Sequence, residues 1–178
     1  MMRQDFSVQN ERVRMNVLEL SDKPASGRAR YALRAWLIAV IPSLLYFLAR
    51  VYVGADSLRP PARAFDATIA GYSILVAPLL ETALMFPLAS LLELLIPRQR
   101  WVRIVLLAAV CALAHKFGGG WQQVFASFWP FLIYSVTLTT WLKRSPRDAF
   151  VLTAFVHALY NATFFGVGAV GDLLTAPA

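Results

Sequence analysis

The sequence predicts an all-α polytopic membrane protein with about five transmembrane helices, a basic cytoplasmic N-terminal tail and a kinked second span. Three observations predict it. The 178 residues are 58% hydrophobic and 15% charged, with a mean hydropathy of +0.57, outside the range of ordinary soluble domains. Five runs are long enough, or nearly so, to cross roughly 30 Å of hydrocarbon. Lysine and arginine fall on alternate sides of those runs, as topology requires.

Residues 1–34 form the tail. It is polar and long, holds seven basic residues, and does not read as a cleavable signal. Within it, Val13, Val17 and Leu20 recur at helical spacing, so Asn10 to Leu20 is either a helix lying on the bilayer surface or part of a solvated tail. The membrane domain covers 35–178. Its first span is Trp36 to Val53, with Pro42 inside, and Pro60-Pro61 marks the loop that follows. The second is Ala67 to Ile96, stopped by Pro97. Pro78 and Pro87 bracket Glu81 and each frees a helical carbonyl, which predicts a kink or break near the acid. The third, Trp101 to His115, is short and is completed by Lys116 to Gly120. The glycines at 118, 119 and 120 let the backbone turn tightly there. The fourth is Trp121 to Leu142, which contains Pro130 and is flanked by Trp121 and Trp141 in the manner of interfacial anchors. Ser145-Pro146 then breaks the chain before the fifth, Ala149 to Val170.

With the N-terminus inside, thirteen Lys/Arg lie on the cytoplasmic side and four outside. The expected topology is N-in and C-out. The net charge of +7 then reflects topology and anionic lipid headgroups, and no nucleic-acid motif gives it another meaning. The single Cys111 excludes an internal disulfide.

Only two histidines occur, His115 and His157, and both lie in apolar runs, as does Glu81. Ionisable groups at membrane depth cost a few kcal/mol each and face a bundle interior or a wet cavity. At a rise of 1.5 Å per residue, Glu81 lies about 22 Å from the cytoplasmic edge, His115 about 21 Å, Asn161 about 18 Å and His157 about 12 Å. His157 and Asn161, four apart, share a helix face. A lone histidine on an apolar helix reads as packing, and a lone membrane asparagine as helix–helix glue. An acid, two histidines and an amide in one band on three helices read as a site.

Such a set has a chemistry. A carboxylate beside a histidine can polarise water as a general base, and a His/Asn pair can donate hydrogen bonds to a tetrahedral oxyanion. Peptide hydrolysis within the membrane needs those parts. An aspartic dyad lacks its second acid, and neither His-Glu-x-x-His nor Gly-x-Ser-x-Gly is present. Cys111, four residues before His115, is either a thiolate partner or a small apolar core residue. Glu81 with both histidines is also a possible zinc set.

On these residues the chain resembles the CAAX protease and bacteriocin-processing family, also called the abortive-infection family. Its pattern is Glu-Glu-x-x-x-Arg, then Phe-x-x-x-His, then His-x-x-x-Asn/Asp on successive membrane helices. Here the sequence reads Glu81-Thr82-Ala83-Leu84-Met85-Phe86, Cys111-Ala112-Leu113-Ala114-His115 and His157-Ala158-Leu159-Tyr160-Asn161. The resemblance covers residues 67–170. It implies a glutamate-type intramembrane endopeptidase without an obligatory metal, in which Glu81 activates water, His115 assists it, and His157 and Asn161 stabilise the oxyanion. It implies a membrane-associated protein or peptide substrate and a bacterial inner (plasma) membrane location. Thr82, Phe86 and Cys111 depart from the family's Glu, Arg and Phe and mark a divergent member. Losing Glu and Arg together leaves neither charge buried alone.

Two other classes stay open: a catalytically silent relative acting in bacteriocin immunity or as a membrane binding partner, and a small proton-relay transporter. No inverted repeat of spans supports the transporter. Among the remaining residues, Glu93 is expected to pair with Arg98 or Arg100. Phe128, Trp129, Phe131 and Tyr134 either pack or line a groove, and Gln122 and Gln123 are placed to meet a substrate backbone.

Overall fold

The computed structural model describes residues 27–52 and 67–175. The reading of Asn10 to Leu20 as a surface helix and the Pro60-Pro61 loop lie outside the described residues. Within them every regular element is helical: α1 (Arg28–Tyr52), α2 (Ala67–Gly71), a π-helical turn (Tyr72–Val76), α3 (Ala77–Leu95), α4 (Arg100–Ala114), α5 (Lys116–Leu142) and α6 (Pro146–Thr175). Five stretches are long and apolar enough to cross a membrane: Arg28–Arg50, Thr68–Leu95, Arg100–Gly118, Gly120–Leu142 and Pro146–Ala169. The protein is an all-α polytopic membrane protein, as its hydropathy runs predict.

The fourth span is the least apolar of the five yet the most enclosed, with 67% of its apolar window buried against 22–28% for the others. Its polarity explains this. Ser127, Ser135, Thr137 and Thr140 are buried, small enough to let neighbouring helices approach. Thr137 and Thr139 donate to their own helix at the carbonyls of Ile133 (2.9 Å) and Ser135 (2.7 Å), so those hydroxyls carry no unmet donor into the core. Around them Tyr134, Ile133, Leu138, Met85, Leu107 and Val156 form the apolar core. Outward faces carry Leu45, Leu84, Leu94 and Phe125, all exposed, which suits lipid and would be a liability in water.

Indole donors tie α1 to the rest. Trp129 Nε1 donates to the Ile38 carbonyl at 2.9 Å, and Trp36 Nε1 to Thr163 Oγ1 at 3.1 Å. Asp148, in the first turn of α6, accepts Arg28 at 2.8 Å. That turn is capped by Ser145 Oγ, which accepts the Asp148 N–H at 3.2 Å, ahead of Pro146 at the first helical position.

The Arg28–Asp148, Arg100–Thr140 and Lys143–Glu93 contacts gather the starts of α1, α4 and α6 and the ends of α3 and α5 at one end of the bundle. Nine of the eleven described Lys/Arg lie at or near that end, and only Arg50 and Lys116 at the other.

Several local expectations change. Trp141 is buried at 7% exposure, edge-on to Tyr31 with centroids 5.5 Å apart, so it is a core residue; Trp121 alone is exposed, with Lys116 Nζ 4.4 Å over its ring. Glu93 pairs with Lys143 at 3.1 Å. α1, α3 and α5 run through Pro42, Pro87 and Pro130. The distortion in the second span lies wholly on the N-terminal side of Pro78. Gly120, at φ 68° and ψ −164°, breaks the helix after the third span, a conformation open to glycine and costly for other residues.

Candidate active site

The site begins with Pro78. In a π-helical register each N–H donates five residues back, and the Ala77 N–H does so to the Tyr72 carbonyl. The next donor in that register would be residue 78, which as proline has no N–H. The Ser73 carbonyl is thereby released from the helix, and Asn161 Nδ2 on α6 donates to it at 2.7 Å. A bare carbonyl at membrane depth is costly, so this bond locks the π turn to α6. α3 then starts with proline in its first turn, where no N–H is needed. Pro78, Thr82, Met85 and Ala89 face inward, and Glu81 sits at the margin of that stripe, its side chain 29% exposed.

Two histidines flank it. His115 caps α4, and its Nδ1 is 3.0 Å from the Cys111 carbonyl. A carbonyl only accepts, so Nδ1 holds a proton and Nε2 is left to face the acid. Nε2 lies 3.9 Å from Glu81 Oε1. On the other side His157 Nε2 lies 3.7 Å from Glu81 Oε2. The His157 ring is clamped by aromatic contacts: stacked on Tyr134 at 4.4 Å and 25°, and edge-on to Phe131 at 5.8 Å. Both separations exceed a direct hydrogen bond and suit a water shared between the groups. Among the described residues, Glu81 Oε2 and His157 Nδ1 are buried without a hydrogen-bond partner. Six further buried polar atoms among the described residues, Thr82 Oγ1 and the Tyr134 hydroxyl included, share that state, so what marks these two is their place in the acid–imidazole cluster.

A cavity of about 480 Å³ opens towards the end where α1 finishes, lined by His115 and Asn161 together with Arg50, Gln122, Gln123 and Phe131. Arg50 Nη2 reaches Gln122 Oε1 at 3.3 Å across its mouth. Glu81 and His157 are not among its lining residues. Phe131, which does line it, also touches the ring of His115 at 5.0 Å and that of His157. No protein-family model, no curated protein and no solved structure matches this chain.

Of the four residues expected to meet, Glu81, His115 and His157 do. Asn161 is not directed at Glu81: its amide answers the Ser73 carbonyl, and the expected convergence of His157 and Asn161 on one target is not seen. Sequence reasoning missed the Ser73 carbonyl and the Tyr134 clamp. The only signal for the first is Pro78; for Tyr134 the sequence does not separate packing from lining a groove. Thr82 is fully buried, its hydroxyl without a partner among the described residues, and Phe86 packs near Phe150 at 6.4 Å. For the zinc alternative, no three His, Cys, Asp or Glu side chains among the described residues are grouped to hold a metal ion.

Proposed function

We propose that the protein is an intramembrane endopeptidase of the glutamate type, cleaving a peptide bond in a membrane-associated protein or peptide. One observation carries the reading: a single carboxylate, held at mid-span between two imidazole Nε2 atoms at 3.9 and 3.7 Å, with the three residues supplied by three spans. Water placed between Glu81 and His115 gives a proton to the carboxylate as its oxygen attacks the scissile carbonyl carbon. The resulting oxyanion takes a hydrogen bond from His157, while Asn161 holds the π turn in place through the Ser73 carbonyl. The proton on Glu81 then passes to the leaving amine as the C–N bond breaks, giving a carboxylic acid, which ionises on release, and an amine, with Glu81 again a carboxylate. The resemblance of the three motifs to the CAAX protease and bacteriocin-processing family supports the same reading. The positive-inside rule supports an orientation with the basic end of the bundle in the cytoplasm and the cavity mouth on the outer side of a bacterial inner membrane.

A second reading is a catalytically silent relative that acts by binding in the same membrane. It is favoured by the position of Glu81 and His157 behind the cavity wall and by Thr82 and Phe86.

The test is cleavage of membrane-anchored peptides by the protein reconstituted in liposomes, with product ends assigned by mass spectrometry. Cleavage unaffected by chelator supports the proposal, and cleavage lost with chelator and restored by zinc replaces it with a metal mechanism. A cellular phenotype that persists unchanged in Glu81→Gln and His115→Ala establishes the binding reading. Proton flux lost in Glu81→Gln, without cleavage, establishes a transporter.

A further inference from the structure

A second polar cavity, of about 200 Å³, lies at the basic end between α3, α4 and α5. Arg100, Arg103, Lys143 and Arg144 line it, with Glu93 as the one carboxylate. Lys143 and Glu93 satisfy each other at 3.1 Å. Arg100 Nη2 donates to Thr140 Oγ1 at 3.0 Å. Arg103 is 6% exposed, and its Nη1 donates to the carbonyls of Ile96 (2.9 Å) and Pro97 (2.7 Å). Carbonyls at the end of α3 satisfy that nitrogen's hydrogens but bring no countercharge, and among the described residues Arg103 makes no ion pair. A buried guanidinium in that state is costly unless an anion joins it.

We propose that this cavity is a binding site for a phosphate oxyanion, carried on a lipid headgroup or free. With Lys143 and Glu93 paired, Arg103 and Arg144 leave the lining positive, and this sets the sign of the ligand. Three guanidinium groups set its class, because the planar fork of arginine matches the paired oxygens of a phosphate. The small volume admits a headgroup phosphate and leaves acyl chains outside, against exposed residues such as Trp101 and Leu94. The level in the bundle agrees: Arg100 begins the third span, and Lys143 directly follows the fourth, where a bilayer places its phosphates. Basic pockets between helices on the cytoplasmic side bind anionic headgroups in this way. The site shares no residue with Glu81 and its histidines, so it stands or falls independently of the proposed hydrolysis.

The test is native mass spectrometry and thermal unfolding of the full chain in non-ionic detergent. The probes are dioleoyl phosphatidylglycerol, dioleoylglycerol and inorganic phosphate. Phosphatidylglycerol is expected to bind saturably, and dioleoylglycerol, with the same chains and no phosphate, is not. At about fivefold per cation near the surface, Arg100→Gln/Arg144→Gln should weaken phosphatidylglycerol binding roughly 25-fold. Glu93→Gln, which removes the opposing charge, should tighten it about fivefold, a change of sign that a purely structural role would not produce. Displacement of the lipid by millimolar inorganic phosphate, or stabilisation by phosphate alone, identifies the free ion as a ligand of the same site. Arg103→Gln should lose binding as well, and if it fails to fold the other two variants decide. Equal retention of phosphatidylglycerol and dioleoylglycerol overturns the proposal, as does binding unchanged in both Arg100→Gln/Arg144→Gln and Glu93→Gln.

Discussion

The two sides of Glu81 are built differently although each presents an imidazole Nε2 to one carboxylate oxygen. On the His115 side the ring is 29% exposed and lines the cavity, with one bond to its own helix and one face near Phe131 at 5.0 Å. On the His157 side the ring is 6% exposed, pressed between Tyr134 and Phe131, with Nδ1 unpartnered among the described residues. One side is open to the cavity, and so to water, and the other is enclosed. A general base needs both: a route for water and a wall that holds the carboxylate in place. The pair also separates two kinds of mutational effect, since a change on the enclosed side should cost stability and activity while a change on the open side should cost activity alone.

His157→Ala should show the largest combined effect. Removing a buried, stacked ring costs about 2–4 kcal/mol by analogy with core truncations, readable as a lower unfolding midpoint in detergent, and cleavage is expected to vanish. His157→Phe sharpens the point, because it keeps the stack on Tyr134 and removes Nε2; it should restore most of the stability and none of the activity. His115→Ala should lower kcat by roughly 10²–10⁴-fold, the usual worth of a general acid–base partner, with the unfolding midpoint nearly unchanged. Equal stability losses in His115→Ala and His157→Ala would break the comparison.

Asn161→Ala comes next. The orphaned Ser73 carbonyl is expected to cost about 1–2 kcal/mol, the range for polar links between membrane helices. Pro78→Ala returns an N–H to the helix, so Asn161→Ala should cost less in that background, and a double-mutant cycle measures the coupling. Strict additivity would mean that the amide is not there to answer the proline. Gln122→Ala at the cavity mouth should have the smallest effect, a severalfold rise in KM with kcat unchanged.

Much of this arrangement is legible in the sequence. The spans follow from runs of apolar residues near bilayer length, and the depth count puts Glu81 and His115 at one level, with Asn161 and His157 in the same mid-membrane band. What the count cannot supply is azimuth. His157 and Asn161 share a helix face, yet one meets a carboxylate and the other a backbone carbonyl, because the π turn before Pro78 rotates the second span and exposes the Ser73 oxygen. A backbone acceptor carries no residue type, so no spacing rule announces it. Trp141 misleads for a related reason. Its place at a span end suggests an interface, but α5 is the enclosed helix, its hydroxyl-bearing residues having drawn the others around it. Glu93 likewise had basic neighbours in sequence and found its partner, Lys143, across a helix pair.

The most direct measurement is single-turnover cleavage by Glu81→Gln in liposomes beside the parent protein, with both unfolding midpoints recorded. Glutamine keeps the shape and cannot accept the proton of water. A loss of at least about 10³-fold in rate, with matching unfolding midpoints, is the expected result. Cleavage retained within tenfold of the parent would contradict the assignment of Glu81 as the base.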